Sequence, residues 1–89
     1  MEIGNLYSTR NVDSLMQVNK RFRDDINTAL DEFINNDWGD TCDEDVETNN
    51  EALDSGERIL AVYKTCKGPV WIISEYDRSS TTILFPSEY

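Results

Sequence analysis

A chain of 89 residues with 38% hydrophobic residues and nine aromatics has the composition of one folded domain, with no room for a second core. No apolar run approaches the ~18 residues of a membrane span, and the first ten residues lack the charged leader and apolar stretch of a secretory signal. A net charge of −10, from 18 acidic and 8 basic residues, disfavours direct binding to nucleic acid, because carboxylates and phosphates repel. The expectation is therefore a cytoplasmic protein, off the membrane, with Cys42 and Cys66 as reduced thiols rather than a disulfide.

In chain order, residues 3–9 can form a short strand, weakened by Gly4 and Asn5. Asn11, Asp13 and Ser14 then offer caps for a first helix over about residues 14–35. Leu15, Val18, Phe22, Ile26, Leu30, Phe33 and Ile34 recur at steps of three and four and mark its buried stripe. Asn35, Asn36 and Gly39 end it. Trp38, within Asp37-Trp38-Gly39-Asp40, reads as a core plug at the corner between two helices.

A second helix is expected over about residues 42–55. Thr41-x-x-Glu44 matches a capping box, and Asp43, Glu44 and Asp45 suit the positive end of a helix dipole. Gly56 is the expected stop. The apolar seam is thin: Cys42, Val46, Ala52 and Leu53. Three β-branched and aromatic runs follow, at 59–63, 70–73 and 81–85. Lys67-Gly68-Pro69 and Asp77-Arg78-Ser79-Ser80 separate them, so residues 58–86 read as a β-meander. The order β-α-α-β-β-β predicts an α+β domain, an antiparallel sheet with helices packed on one face. The other face, around Trp71 and Ile73, reads as apolar enough to dock a partner or a second copy. Asp77 and Arg78 read as an exposed pair, and Pro86 ends the last strand. Tyr89 either folds back on the sheet or projects from it.

Chemistry is poorly supported. Without histidine the commonest general base, the Ser-His and Cys-His pairs and most zinc sites are missing. No phosphate-binding glycine motif appears. Asp43-x-Asp45-x-Glu47 has calcium-loop spacing, but Thr48 stands where the loop needs glycine and Asp54 where it needs glutamate, so the capped helix is preferred. The expectation is a protein that is not an enzyme and that uses no metal or cofactor.

What remains is the charge. Between positions 37 and 57 lie nine acidic residues and no lysine or arginine, while the flanking segments are nearly balanced. On a helix the six acids of residues 43–54 span about 16 Å, or one charge per ~3 Å. B-DNA carries one phosphate per ~3.4 Å along each strand. Solvated faces usually alternate signs, and this one does not. Asp43, Glu44, Asp45, Glu47, Glu51, Asp54 and Glu57 are therefore the candidate contacts to a basic protein surface, such as that of a nucleic-acid-binding enzyme. The internal competitor is the basic group Lys20, Arg21 and Arg23.

Asp37-Trp38-Gly39-Asp40, Asn50-Glu51-Ala52-Leu53, Gly56-Glu57-Arg58-Ile59-Leu60-Ala61, Trp71-Ile72-Ile73-Ser74-Glu75 and Asp77-Arg78-Ser79 form a distinctive set. It closes in Thr81-Thr82-Ile83-Leu84-Phe85-Pro86-Ser87-Glu88-Tyr89. Over about the C-terminal two-thirds of the chain, this set resembles a family of small acidic proteins carried on plasmids, conjugative elements and phages of Gram-positive bacteria, mostly described as plasmid-related. The resemblance implies a mobile-element setting and no catalytic residues. In charge, such proteins are similar to inhibitors of host defence nucleases of the anti-restriction and anti-CRISPR type. Two alternatives stand beside that expectation: a dimerising or scaffolding module of element maintenance that uses the open sheet face, and an immunity or antitoxin partner of a basic nuclease.

Overall fold

A computed structural model describes all 89 residues. The elements are β1 (Asn5–Ser8), α1 (Arg10–Val18), α2 (Lys20–Ile34), α3 (Asp43–Ser55), β2 (Ile59–Thr65), β3 (Gly68–Ser74) and β4 (Ser80–Leu84), with short 3₁₀ turns at Tyr76–Arg78 and Pro86–Glu88. The α+β class and the strand-helix-strand order agree with the expectation.

The first helix is broken in two. Thr9 caps α1 through its Oγ, which accepts from Val12 N–H, so helix begins four residues earlier than Ser14. Asn19 then does two jobs in extended backbone (φ −129°, ψ 105°). Its N–H closes α1 on the Leu15 carbonyl, and its Oδ1 accepts from Phe22 N–H to open α2. A side chain that competes this well for a backbone donor stops one helix and starts the next. The break rotates Val18 out of the expected stripe, leaving it 82% exposed, and Val12 enters the core instead.

The sheet is mixed, not purely antiparallel. Its order is β1-β4-β3-β2; β2-β3-β4 form the expected antiparallel meander, but β1 runs parallel to β4. The chain leaves β1 for the helical layer and re-enters the sheet at its far edge as β2, running the same way as β1; the two reversals of the meander then bring β4 beside β1 in that same direction. Ile59, Ala61, Tyr63, Val70, Ile72 and Ile83 face the helices and pack with Phe22, Ile26, Ala29, Phe33, Trp38 and Ala52 into one core. Trp38 is the predicted plug: it packs edge-on against Phe33, centroids 5.6 Å apart, and its indole N–H donates to Asn50 Oδ1 at 2.8 Å.

The opposite sheet face is partly covered, with Leu60, Val62, Trp71 and Thr82 half-buried. Tyr89 folds back edge-on over Trp71, ring centroids 5.3 Å apart. Its hydroxyl accepts from Arg58 Nη1 at 2.7 Å, and the guanidinium lies over its ring. Arg58 Nε stands 3.2 Å from Glu75 Oε1, completing the cluster. Ile73, in the centre of this face, is 3% exposed. Glu88 fastens the same tail from the other side. Its carboxylate accepts from Thr9 Oγ, Asn11 Nδ2 and Phe85 N–H. Desolvation opposes that charge, but the three donors outweigh it and hold the carboxyl below its ordinary pKa.

Candidate functional site

The segment 43–55 is a helix, as the acidic first turn and Gly56 imply; Gly56 adopts φ +77° and donates to the Ala52 carbonyl. The predicted capping box does not form. Cys42 occupies the N-cap without a side-chain bond. Thr41 turns away instead: its hydroxyl donates to the Trp38 carbonyl and accepts from Val62 N–H at 2.9 Å. The edge strand outcompetes the helix end for this hydroxyl, because three acidic residues in the first turn already satisfy the dipole there.

The inner side of α3 is anchored by one polar residue. Asn49 is 3% exposed, and its amide makes both bonds of a missing strand neighbour: Nδ2 donates to the Leu60 carbonyl at 2.9 Å, and Oδ1 accepts from Leu60 N–H at 3.3 Å. Val62 is covered next door by the Thr41 hydroxyl and by Asp40 N–H, which donates to the Val62 carbonyl at 2.8 Å. Together these close most of the β2 edge and lock α3 to the sheet. The sequence marks Asn49 only weakly. The only signal was an amide at a seam position, between Val46 and Ala52.

The far end of α3 is held by Arg78, whose predicted pairing with Asp77 does not occur. Its guanidinium donates to the carbonyls of Ala52 (2.7 Å), Glu57 (2.7 Å) and Glu75 (3.3 Å). A cation here suits the negative end of the helix dipole, where Glu51 and Asp54 are otherwise unfavourable. Both Asp77 and Arg78 sit at positive φ, +61° and +57°. Arg78→Ala is expected to cost about 2–3 kcal/mol through the lost charged hydrogen bonds. Arg78→Gly loses the same bonds but relieves the left-handed backbone, so it should be about 1 kcal/mol less damaging. Urea unfolding of the two variants checks both values.

The carboxylates are left free by this arrangement. Asp43, Glu44, Asp45, Glu47, Glu51, Asp54 and Glu57 are all exposed, and none takes part in any of the three ion pairs: Lys20–Asp24, Arg58–Glu75 and Lys64–Asp40. Lys20 pairs within α2, and Arg23 Nε donates to the Met16 carbonyl at the α1–α2 corner. The expected internal competitor thus holds none of the acidic helix. Not all the carboxylates lie along one line. Glu44, Glu47, Glu51 and Asp54, spaced three, four and three residues, form the outward stripe, about 15 Å long with a charge every ~5 Å. Asp43, four residues before Glu47, continues that side; Asp45 stands on the side of Asn49 and Ala52, exposed in the first turn; and Glu57 lies beyond Gly56.

No family model, curated protein or solved structure matches this chain.

A second acidic feature was missed from sequence. Asp25 and Glu32, two turns apart on α2, share a groove of about 340 Å³ with Thr28, Asp40, Tyr63 and Lys64. Asp40 is partly neutralised by Lys64 at 3.8 Å. Asp25 accepts from Cys66 N–H at 2.8 Å, which ties the β2–β3 turn to α2. Burial, with the nearby Glu32 and Asp37 carboxylates, pushes the Tyr63 phenol far above its usual range, so it stays a donor, to the Asp37 carbonyl at 2.6 Å. Cys42 and Cys66 are exposed free thiols. No helix is long and apolar enough to cross a membrane.

Proposed function

We propose that this chain is a non-enzymatic binding protein that presents α3 as a rigid anionic ligand to a basic, nucleic-acid-binding surface of another protein. One observation carries the reading: seven carboxylates lie on or beside a helix pinned at its middle by Asn49 and at its C-terminal end by Arg78, and not one is neutralised within the fold. Like charges three and four residues apart weaken an isolated helix by a few tenths of a kcal/mol per pair. Tertiary anchoring by Asn49, Thr41 and Arg78 makes that tolerable, and fixed geometry gives the charges value to a partner. With the mobile-element resemblance of the C-terminal two-thirds, the partner class is a host defence nuclease of the restriction or CRISPR type, occupied where it holds nucleic acid. An antitoxin acting on a basic nuclease would use the same surface. The scaffolding alternative has less support, because Tyr89 already packs over Trp71 and Ile73 is buried.

Charge reversal tests it. Glu47→Lys with Glu51→Lys should weaken association with the basic partner about tenfold or more, and leave the fold intact because both side chains point to solvent. Unchanged affinity in a folded double variant would remove the electrostatic reading.

A further inference from the structure

We infer that β1 is a self-association edge, pairing antiparallel with β1 of a second copy so that two four-stranded sheets become one. The two edges of the sheet are treated differently. At β2, Asn49, Thr41 and Asp40 occupy the outward backbone groups of Leu60 and Val62. At β1 nothing does. Its parallel ladder with β4 uses Asn5 N–H, donating to the Ser79 carbonyl, and Thr9 N–H, donating to the Ile83 carbonyl. Strand alternation then turns the N–H and C=O groups of Leu6 and Ser8 outward, and no side chain bonds them. Natural edges are usually blunted by shortness, lysine, proline or a bulge; β1 is short, four residues, but has none of the other three. Within Asn5-Leu6-Tyr7-Ser8, Leu6 and Tyr7 are 45% and 55% exposed. A mostly apolar cleft of about 180 Å³, lined by Leu6, Met16, Ile26 and Leu30 and also by Asp13 and Asn27, runs beside the strand.

Charge placement selects a second copy as the occupant. A basic partner is drawn to α3, whereas β1 is an uncharged strand that suits an uncharged strand, and this chain supplies one. Self-association of a chain with net charge −10 is tolerable only where the acidic helices stay apart. α3 packs on β2, at the opposite end of the sheet. Joining through β1 sets the two β2 strands seven strand spacings apart, about 33 Å, several times the ~8–10 Å screening length. Joining through the β2 edge would bring the acidic helices together. A two-fold axis at Tyr7 places Leu6 opposite Ser8 of the second copy. The four outward groups of each strand then pair completely, and the two Tyr7 rings meet across the far face. The dimer would display two acidic helices at its outer ends.

Sedimentation equilibrium of the full chain, from micromolar to sub-millimolar concentration, tests this. The expected result is a mass rising from 10.3 kDa to twice that value, undiminished by high salt. Leu6→Pro deletes an outward N–H without touching the β4 ladder, and Tyr7→Lys places a charge on the axis. Each should weaken dimerisation tenfold or more with little change in thermal unfolding, and Tyr7→Lys decides if Leu6→Pro fails to fold. Val62→Lys, on the far face away from β1, should leave the dimer intact. A monomer at all concentrations overturns the inference, as does a dimer that survives both β1 variants or is abolished by Val62→Lys. A monomer that takes up an extended peptide along β1 also overturns the assignment to a second copy.

Discussion

Asn49→Asp is expected to destabilise the fold by about 3–5 kcal/mol at neutral pH, although it exchanges one amide nitrogen for oxygen. Asn49 is buried, and its Nδ2 is the donor to the Leu60 carbonyl. A carboxylate there would be desolvated and would face that carbonyl with no proton to give. Both effects favour the protonated form, so the introduced carboxyl would have a folded pKa above its unfolded one. The linkage then has a definite sign. The penalty is fully present above the folded pKa and shrinks as pH falls through it, because a protonated carboxyl can donate to Leu60. Asn49→Leu should also destabilise, by about 2–3 kcal/mol, through the two backbone groups left without partners. Its deficit relative to the parent chain should not narrow on acidification. Urea unfolding of the three proteins across the acid range separates these outcomes, and a pH-independent gap for Asn49→Asp would contradict the role given to this amide.

Gly39→Ala should cost about 3 kcal/mol or more, from two sources. The backbone at Gly39 has φ +60°, which costs an L-residue about 1–2 kcal/mol. A Cβ there would also lie 2.5 Å from Tyr63 Cδ1 and 2.9 Å from the Val62 carbonyl oxygen. The ring cannot swing away cheaply, because Tyr63 is buried in the core and its hydroxyl is tied to the Asp37 carbonyl. A domain of this size holds only about 5–10 kcal/mol, so the loss is a large share of its stability. Gly56→Ala is the matched control. It has a similar φ of +77° but open space around the position, so only the conformational part, about 1 kcal/mol, is expected. Equal losses in the two variants, measured by urea unfolding, would show that the corner at Gly39 is not packed as described.

How much of this was legible in the sequence follows from the range of each signal. The α3 helix, its Gly56 stop and the three-stranded meander rest on local periodicity and turn chemistry, and they appear where expected. The plug at Trp38 was legible from its place between helices. Features set by competition between distant groups were not. Asn19 breaks the long first helix because its side chain captures Phe22 N–H, while the apolar spacing continues across the break. Thr41 leaves the helix end for an edge strand 21 residues away, and Arg78 leaves Asp77 for carbonyls at the end of α3. The direction of β1 was illegible because the strand alone does not say which neighbour it meets. The seven candidate carboxylates are exposed together, but their freedom from ion pairs depends on where Lys20 and Arg23 point, and only the fold decides that.

The measurement that bears most directly on the acidic helix is competition. Proteins captured from a bacterial lysate on the immobilised chain at low ionic strength are challenged with duplex DNA, and any nuclease among them is quantified. If α3 occupies a nucleic-acid-binding surface, DNA should displace the partner, high salt should do the same, and the Glu47→Lys, Glu51→Lys variant should capture little of it. A nuclease retained undiminished by the double variant, or one that holds DNA and this chain together, would contradict the assignment of α3 as the anionic ligand.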